Sequence, residues 1–87
     1  MPFEFDDKKS MSNKMKHGID FIEAQQLWRD PERVEIPARN LDEPRFMIIG
    51  RIGKEIWCGI FTVRNINIRI ISVRKARYYE KEIYESF

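Results

Sequence analysis

Nine polar side chains hold most of the chemistry this sequence can offer: Lys16, His17, Arg51, Arg64, Arg69, Arg74, Lys75, Glu80 and Tyr84. Arginine and lysine supply fixed positive charge; His17, Glu80 and Tyr84 can take up or release protons. That combination meets the needs of cutting RNA without a metal ion. A base must take the 2′-hydroxyl proton, cations must stabilise a crowded phosphorane, and an acid must protonate the leaving 5′-oxygen. Each proton carrier also has a plainer role. His17 suits a helix C-terminus, where the dipole favours it. Glu80 can pair with Arg77 or Lys81 on its own helix. Tyr84 can pack its ring on a sheet with the hydroxyl at the edge.

Other chemistries find little support. His17 is the only histidine, which argues against a structural zinc site or a paired-histidine mechanism. No acidic cluster has the spacing of a two-metal nuclease. Asp6 and Asp7 are adjacent, but they precede a helical stretch and suit its N-terminus. There is no glycine-rich phosphate loop and no CxxC, so neither metal nor cofactor is expected. The one cysteine, Cys58, lies among apolar residues and reads as a buried, inert thiol.

Charge is segregated along the chain. From Pro44 to Tyr79 stand eight Lys or Arg against one acid, Glu55, although the whole chain is only +2. Residues 1–43 and 80–87 are net acidic. A positive block on a nearly neutral protein points to a polyanion such as nucleic acid. The alternative is a solvated sheet face whose arginines pair with acidic helices.

Eighty-seven residues, 43% of them hydrophobic and 34% charged, describe one globular domain over 1–87. No apolar run is long enough for a membrane, and the N-terminus has no secretory pattern, so the cytoplasm is the default. Asp6 to Lys16 has helical composition, and Gly18 suits the left-handed residue that ends a helix. Asp20 and Glu23 have capping-box spacing before a short helix with Phe21, Ala24, Leu27 and Trp28 on one stripe. Asp30-Pro31 stops it. Four strands are predicted: Val34–Ile36 closed by Pro37, Arg45–Gly50, Ile56–Val63 and Ile66–Val73, the last three forming an antiparallel meander. Lys75 to Phe87 returns to a helical pattern, with Ala76, Tyr79, Ile83 and Phe87 on one face. The expected fold is α+β: two N-terminal helices, a four-stranded mainly antiparallel sheet and a C-terminal helix. Simple alternation in the fourth strand puts Arg69 on the opposite face from Arg74, unless a bulge intervenes.

Two blocks of residues resemble the BrnT family of bacterial type II toxins. The first is Phe3-Glu4-Phe5-Asp6, Lys8, Asn13, Lys16-His17-Gly18-Ile19, Phe21 and Glu23-Ala24. The second is Arg45-Phe46, Ile49-Gly50, Phe61-Thr62-Val63-Arg64, Arg69-Ile70-Ile71-Ser72-Val73-Arg74-Lys75-Ala76, Glu80 and Tyr84. The resemblance implies a RelE-like fold and a ribonuclease that cleaves RNA and arrests translation. It also implies a BrnA-like antitoxin with a ribbon-helix-helix DNA-binding part, the complex repressing its own operon. The matched polar positions are Lys16, His17, Arg45, Arg64, Arg69, Ser72, Arg74, Glu80 and Tyr84. Lys16, His17, Arg64, Arg74, Glu80 and Tyr84 are the expected catalytic set; Arg45, Arg51, Arg69, Lys75 and Arg77 are the expected RNA contacts. The chain departs from the family pattern in having Phe5 for a usual Trp. It also has Arg39 where a His commonly stands, and an arginine cannot serve as a base near neutral pH. A non-catalytic nucleic-acid-binding or antitoxin-binding subunit is the competing reading, and a plain module docking an acidic partner helix is a third.

Overall fold

A computed structural model describes residues 2–39 and 42–86. Asp6 opens helix α1 (Asp7–His17), its carboxylate accepting the N–H groups of Lys8 and Lys9 at 2.8 and 3.1 Å. Gly18 closes the helix at φ +82°, a conformation that costs a residue with a side chain 1–2 kcal/mol or so. The Asp20–Glu23 box forms as its spacing predicts: Asp20 accepts from the Glu23 N–H at 2.7 Å, and Glu23 accepts from the Asp20 N–H at 3.0 Å. The segment it opens, Glu23–Arg29, is a 3-10 helix rather than the expected α-helix. Its tighter winding lets Leu27 and Ala24 seat against the sheet while Asp30 ends it.

The sheet has five strands, not four. Phe3–Glu4 forms β1, followed in chain order by β2 (Val34–Ala38), β3 (Arg45–Ile52), β4 (Glu55–Arg64) and β5 (Asn67–Lys75), arranged β1-β5-β4-β3-β2. β1 runs parallel to β5; all other pairings are antiparallel. A two-residue parallel strand has no hydrophobic alternation to reveal it. The architecture is thus α+β with a mixed five-stranded sheet and three helical segments, and the finer RelE-like, two-α-helix, four-strand expectation does not match in detail. Pro37 lies inside β2, tolerated because β2 is an edge strand.

One sheet face is sealed by α1 and the 3-10 helix over Phe21, Leu27, Ile48, Trp57, Phe61, Ile70 and Val73. Gly50 makes this close approach feasible, since a β-carbon there would stand 3.1 Å from Leu27 Cδ2. The other face carries a smaller cluster, Ile49, Ile56, Cys58, Ala76 and Tyr84, under helix α2 (Tyr78–Glu85). α2 turns Glu80 and Tyr84 inward with Ile83 at its margin, whereas Tyr79 is exposed and Ala76 precedes the helix. Phe87, expected on that stripe, lies outside the described residues. Among the described residues, no helix is long and apolar enough to cross a membrane.

Candidate functional site

The site is built on a β-bulge. Phe61 pairs with Ile70, but its neighbour Ile60 pairs with Ser72, so Ile71 is extra on β5. This resets the alternation. Arg69 stands opposite Thr62, and Arg74 opposite Cys58. Thr62 and Cys58 are four residues apart on a regular strand, hence on one face and separated by about 13 Å. Arg69, Ser72 and Arg74 therefore share the α2 face, correcting the simple alternation. Arg64 falls on the same face by its pairing with Asn67, and Arg45 by its place one residue before Phe46 on β3.

α2 covers only one end of this face. Arg74 joins Glu80 there through two bonds, Nη1 to Oε1 at 2.7 Å and Nη2 to Oε2 at 2.9 Å. Glu80 is fully buried, and it also accepts the Arg77 N–H at 2.8 Å and lies 3.6 Å from Cys58 Sγ. Burial alone would raise its pKa. The bonds from Arg74 and the Arg77 N–H outweigh that and hold it at about 2. The same carboxylate holds the Arg74 guanidinium above its usual range, against a smaller opposing effect of burial. Burial, with Glu80 alongside, pushes the Cys58 thiol up to about 12, as suits an inert structural cysteine.

One turn along α2 from Glu80, the Tyr84 hydroxyl donates to Asp30 Oδ2 at 2.7 Å, and Arg51 lies 5.6 Å from the Tyr84 ring centroid. Burial and this bond raise the Tyr84 pKa. Asp30 also accepts the Arg51 and Glu32 N–H groups at 2.8 and 2.9 Å. These donors overcome burial and lower its pKa. Tyr84 and Arg51 thus tie α2 to the end of the 3-10 helix.

The uncovered end carries the remaining cations. Arg69 binds Glu4 at 2.9 Å, and Asn67 donates to the other Glu4 oxygen at 3.0 Å. Those two bonds lower the Glu4 pKa. Arg64 meets Glu43 at 3.3–3.4 Å. Arg45 has its Nε buried with no partner. Beside this end lies a groove of about 200 Å³, lined by Lys9, Ser12, Asn13, Lys16, His17, Ile71 and Ser72. Lys16 and His17 end α1, and no side-chain partner holds either among the described residues. Asn13 fixes the helix against the bulged strand. Its amide donates to Val73 O at 2.8 Å and to Ile19 O at 2.9 Å, and its carbonyl accepts the Val73 N–H at 3.2 Å. In effect it pairs with β5 where β1 has ended.

Of the expected residues, the structure gathers Lys16, His17, Arg45, Arg64, Arg69 and Arg74 around one face and its edge, with Glu80 behind Arg74. Lys75 pairs with Trp57 on the opposite face and approaches Glu55 at 3.9 Å. Arg77 is the exposed N-cap of α2. Asn13, Asp30 and Glu4 hold these groups in place without having been expected to. Asn13 carries a sequence signal, a short polar residue on the helix side that must face the core; Asp30 shows only as a helix stop.

An α+β protein with an arginine-rich, half-open sheet face and an adjoining Lys-His groove has the makings of a phosphodiester-handling protein. Residues 5–80 match the model of the ribonuclease toxins, BrnT, of type II toxin-antitoxin systems. The chain belongs to that family, whose members are ribonuclease toxins partnered by an antitoxin. No curated protein matches the chain significantly.

Proposed function

We propose that this protein is a metal-independent endoribonuclease working on the open face and the groove at its edge. His17 takes the proton from a 2′-hydroxyl, whose oxygen attacks the adjacent phosphorus. Arg74 and Arg69 hold the phosphorane charge, and the Lys16 ammonium protonates the departing 5′-oxygen. The products are a 2′,3′-cyclic phosphate and a 5′-hydroxyl end, so protons and bonds balance. Glu80 is a positioning residue in this scheme. It orients Arg74 through two bonds, and its low pKa unsuits it to moving protons near neutrality. Arg45 and Arg64 bind flanking phosphates. Tyr84, Arg51, Lys75 and Arg77 lie apart from the groove, and we assign them to the fold or to peripheral contacts.

One observation carries the reading: the Ile71 bulge turns Ser72 and Arg74 onto Arg69's face, and Ile71 and Ser72 also line the groove with Lys16 and His17. The metal-free scheme is part of the proposal and rests on the groups that would do the work: Lys16 and His17 in the groove, and the arginines on the adjoining face. Neutralisation by a ribbon-helix-helix antitoxin and repression of the operon by the pair rest on the family resemblance. The deciding experiment incubates RNA with the protein in EDTA. Cleavage is expected, lost on His17→Ala and kept in Tyr84→Phe.

The competing reading, a non-catalytic binding face, has its own support. Arg64, Arg69 and Arg74 each already pair with a carboxylate. It predicts salt-sensitive RNA binding with no cleavage products.

A further inference from the structure

α1 is packed inside out. The residues it turns to the core are Ser10 and Asn13, both buried. Ser10 Oγ accepts the Phe21 N–H at 2.9 Å, and Asn13 bonds Val73 and Ile19. Its apolar residues point the other way: Met11 is 69% exposed and Met15 89%. With Ile22, 67% exposed, and Phe5, they line a groove of about 590 Å³. This groove lies on the other flank of α1 from Lys16 and His17. Three large apolar side chains gathered at one exposed groove on so small a protein mark a contact surface.

The charges at the groove select its occupant. Asp7, Lys14 and Asp20 stand at its margin. Glu23 holds Lys14 at 2.7 Å, and Asp20 caps the Ile22 and Glu23 N–H groups, so three carboxylates, Asp7, Asp20 and Glu23, stand against one ammonium at this margin. That repels RNA and favours a partner with basic residues beside its apolar contact. The groove is lined by side chains of α1, of the turn at Asp20–Ile22 and of Phe5 just after β1, so recognition runs through side chains. Met11 and Met15 are four residues apart, one above the other on α1. Unbranched and adaptable, they suit knobs from a crossing helix.

We propose that this groove seats an amphipathic helix of the antitoxin, with an apolar stripe flanked by Lys or Arg. The proposal takes the antitoxin from the family and does not depend on RNA cleavage. It makes the antitoxin's grip separable from the cationic face: the same helix α1 presents its catalytic candidates on one flank and its docking residues on the other.

The test uses the full chain and its cognate antitoxin. Met11→Glu/Met15→Glu leaves the core untouched, because both side chains are exposed. Calorimetric titration should show the antitoxin's Kd rising about a hundredfold or more, the scale of losing two anchor residues. Asp7→Lys should weaken binding by a smaller factor, about 3- to 10-fold, through like charge. In cells the double variant should escape neutralisation while still arresting growth. Unchanged antitoxin affinity in the double variant overturns the proposal. So does a homodimer of the wild-type chain, seen by sedimentation, that the double variant dissolves, since a second copy would then own the groove. If the chain cleaves no RNA, the titration still reads docking alone, and the two readings fail separately.

Discussion

The two ends of the α2 face use the same residue types to opposite effect. Under α2, charges are matched and immobile: Glu80 is saturated by Arg74 and a main-chain N–H, and Asp30 by Tyr84 and two more. Beyond α2, Lys16 and His17 have no partner among the described residues, and Arg64 meets Glu43 only at 3.3–3.4 Å on the surface. A buried ion pair is stiff because breaking it strands a charge in low dielectric. An exposed one exchanges readily with water or phosphate. The covered end therefore holds geometry; at the open end Arg69 is held by a part-buried Glu4, while Lys16, His17 and Arg64 are placed to turn to a phosphate. Arg74 sits at the seam, 29% exposed, anchored on one side and presented on the other.

The sharpest test of this division is His17→Ala. On the open end it should lower RNA cleavage about 10²- to 10⁴-fold, the usual weight of a proton-transfer group, and shift stability by no more than ~0.5 kcal/mol. Cleavage assays and urea denaturation check the two halves; a large stability loss would erase the distinction. Arg74→Met should behave as a covered-end change. It leaves Glu80 charged and fully buried, and should cost about 3–5 kcal/mol in the same denaturation measurement.

Acid probes the covered end without mutation. The Glu80 pKa is about 2 in the folded protein against 4.5 for an unperturbed glutamate. A depressed carboxyl contributes stability that is fully present above its unfolded value. That contribution is lost as pH falls from about 4.5 towards about 2, where the unfolded chain binds the extra proton. Stability measured across this window should fall in the wild type, and Glu80→Gln should remove part of the slope. An identical slope in both would mean that Glu80 is not the group being protonated.

Much of this plan is legible in the residues themselves. The Asp6 and Gly18 caps, the Asp20–Glu23 box and the β3–β4–β5 meander follow from local chemistry that acts within a few residues. What alternation misses is nonlocal. Ile71 reads as an ordinary strand residue, and only pairing with β4 decides that it bulges and returns Arg74 to Arg69's face. β1 is too short for a period and exists because β5 offers it an edge. The candidate residues were nameable because cations and the lone histidine are conspicuous. Their sorting into covered and open sets was not, since it depends on where α2 stops across the sheet.

The smallest expected effect is also the finest discriminator between those sets. Arg64 bonds Glu43 at the surface, so Arg64→Ala should change stability by only about 0.2–1 kcal/mol. Its weight should appear instead in RNA affinity. If Arg64 exchanges Glu43 for a phosphate, its loss removes one counterion-releasing contact. The slope of log K against log salt for single-stranded RNA should then flatten by about 0.7. The same substitution in a His17→Ala background should give the same change in slope, because phosphate binding and proton transfer act at different atoms. A flat slope change combined with a large stability loss would place Arg64 with the covered residues, and the open end would shrink to the Lys16–His17 groove.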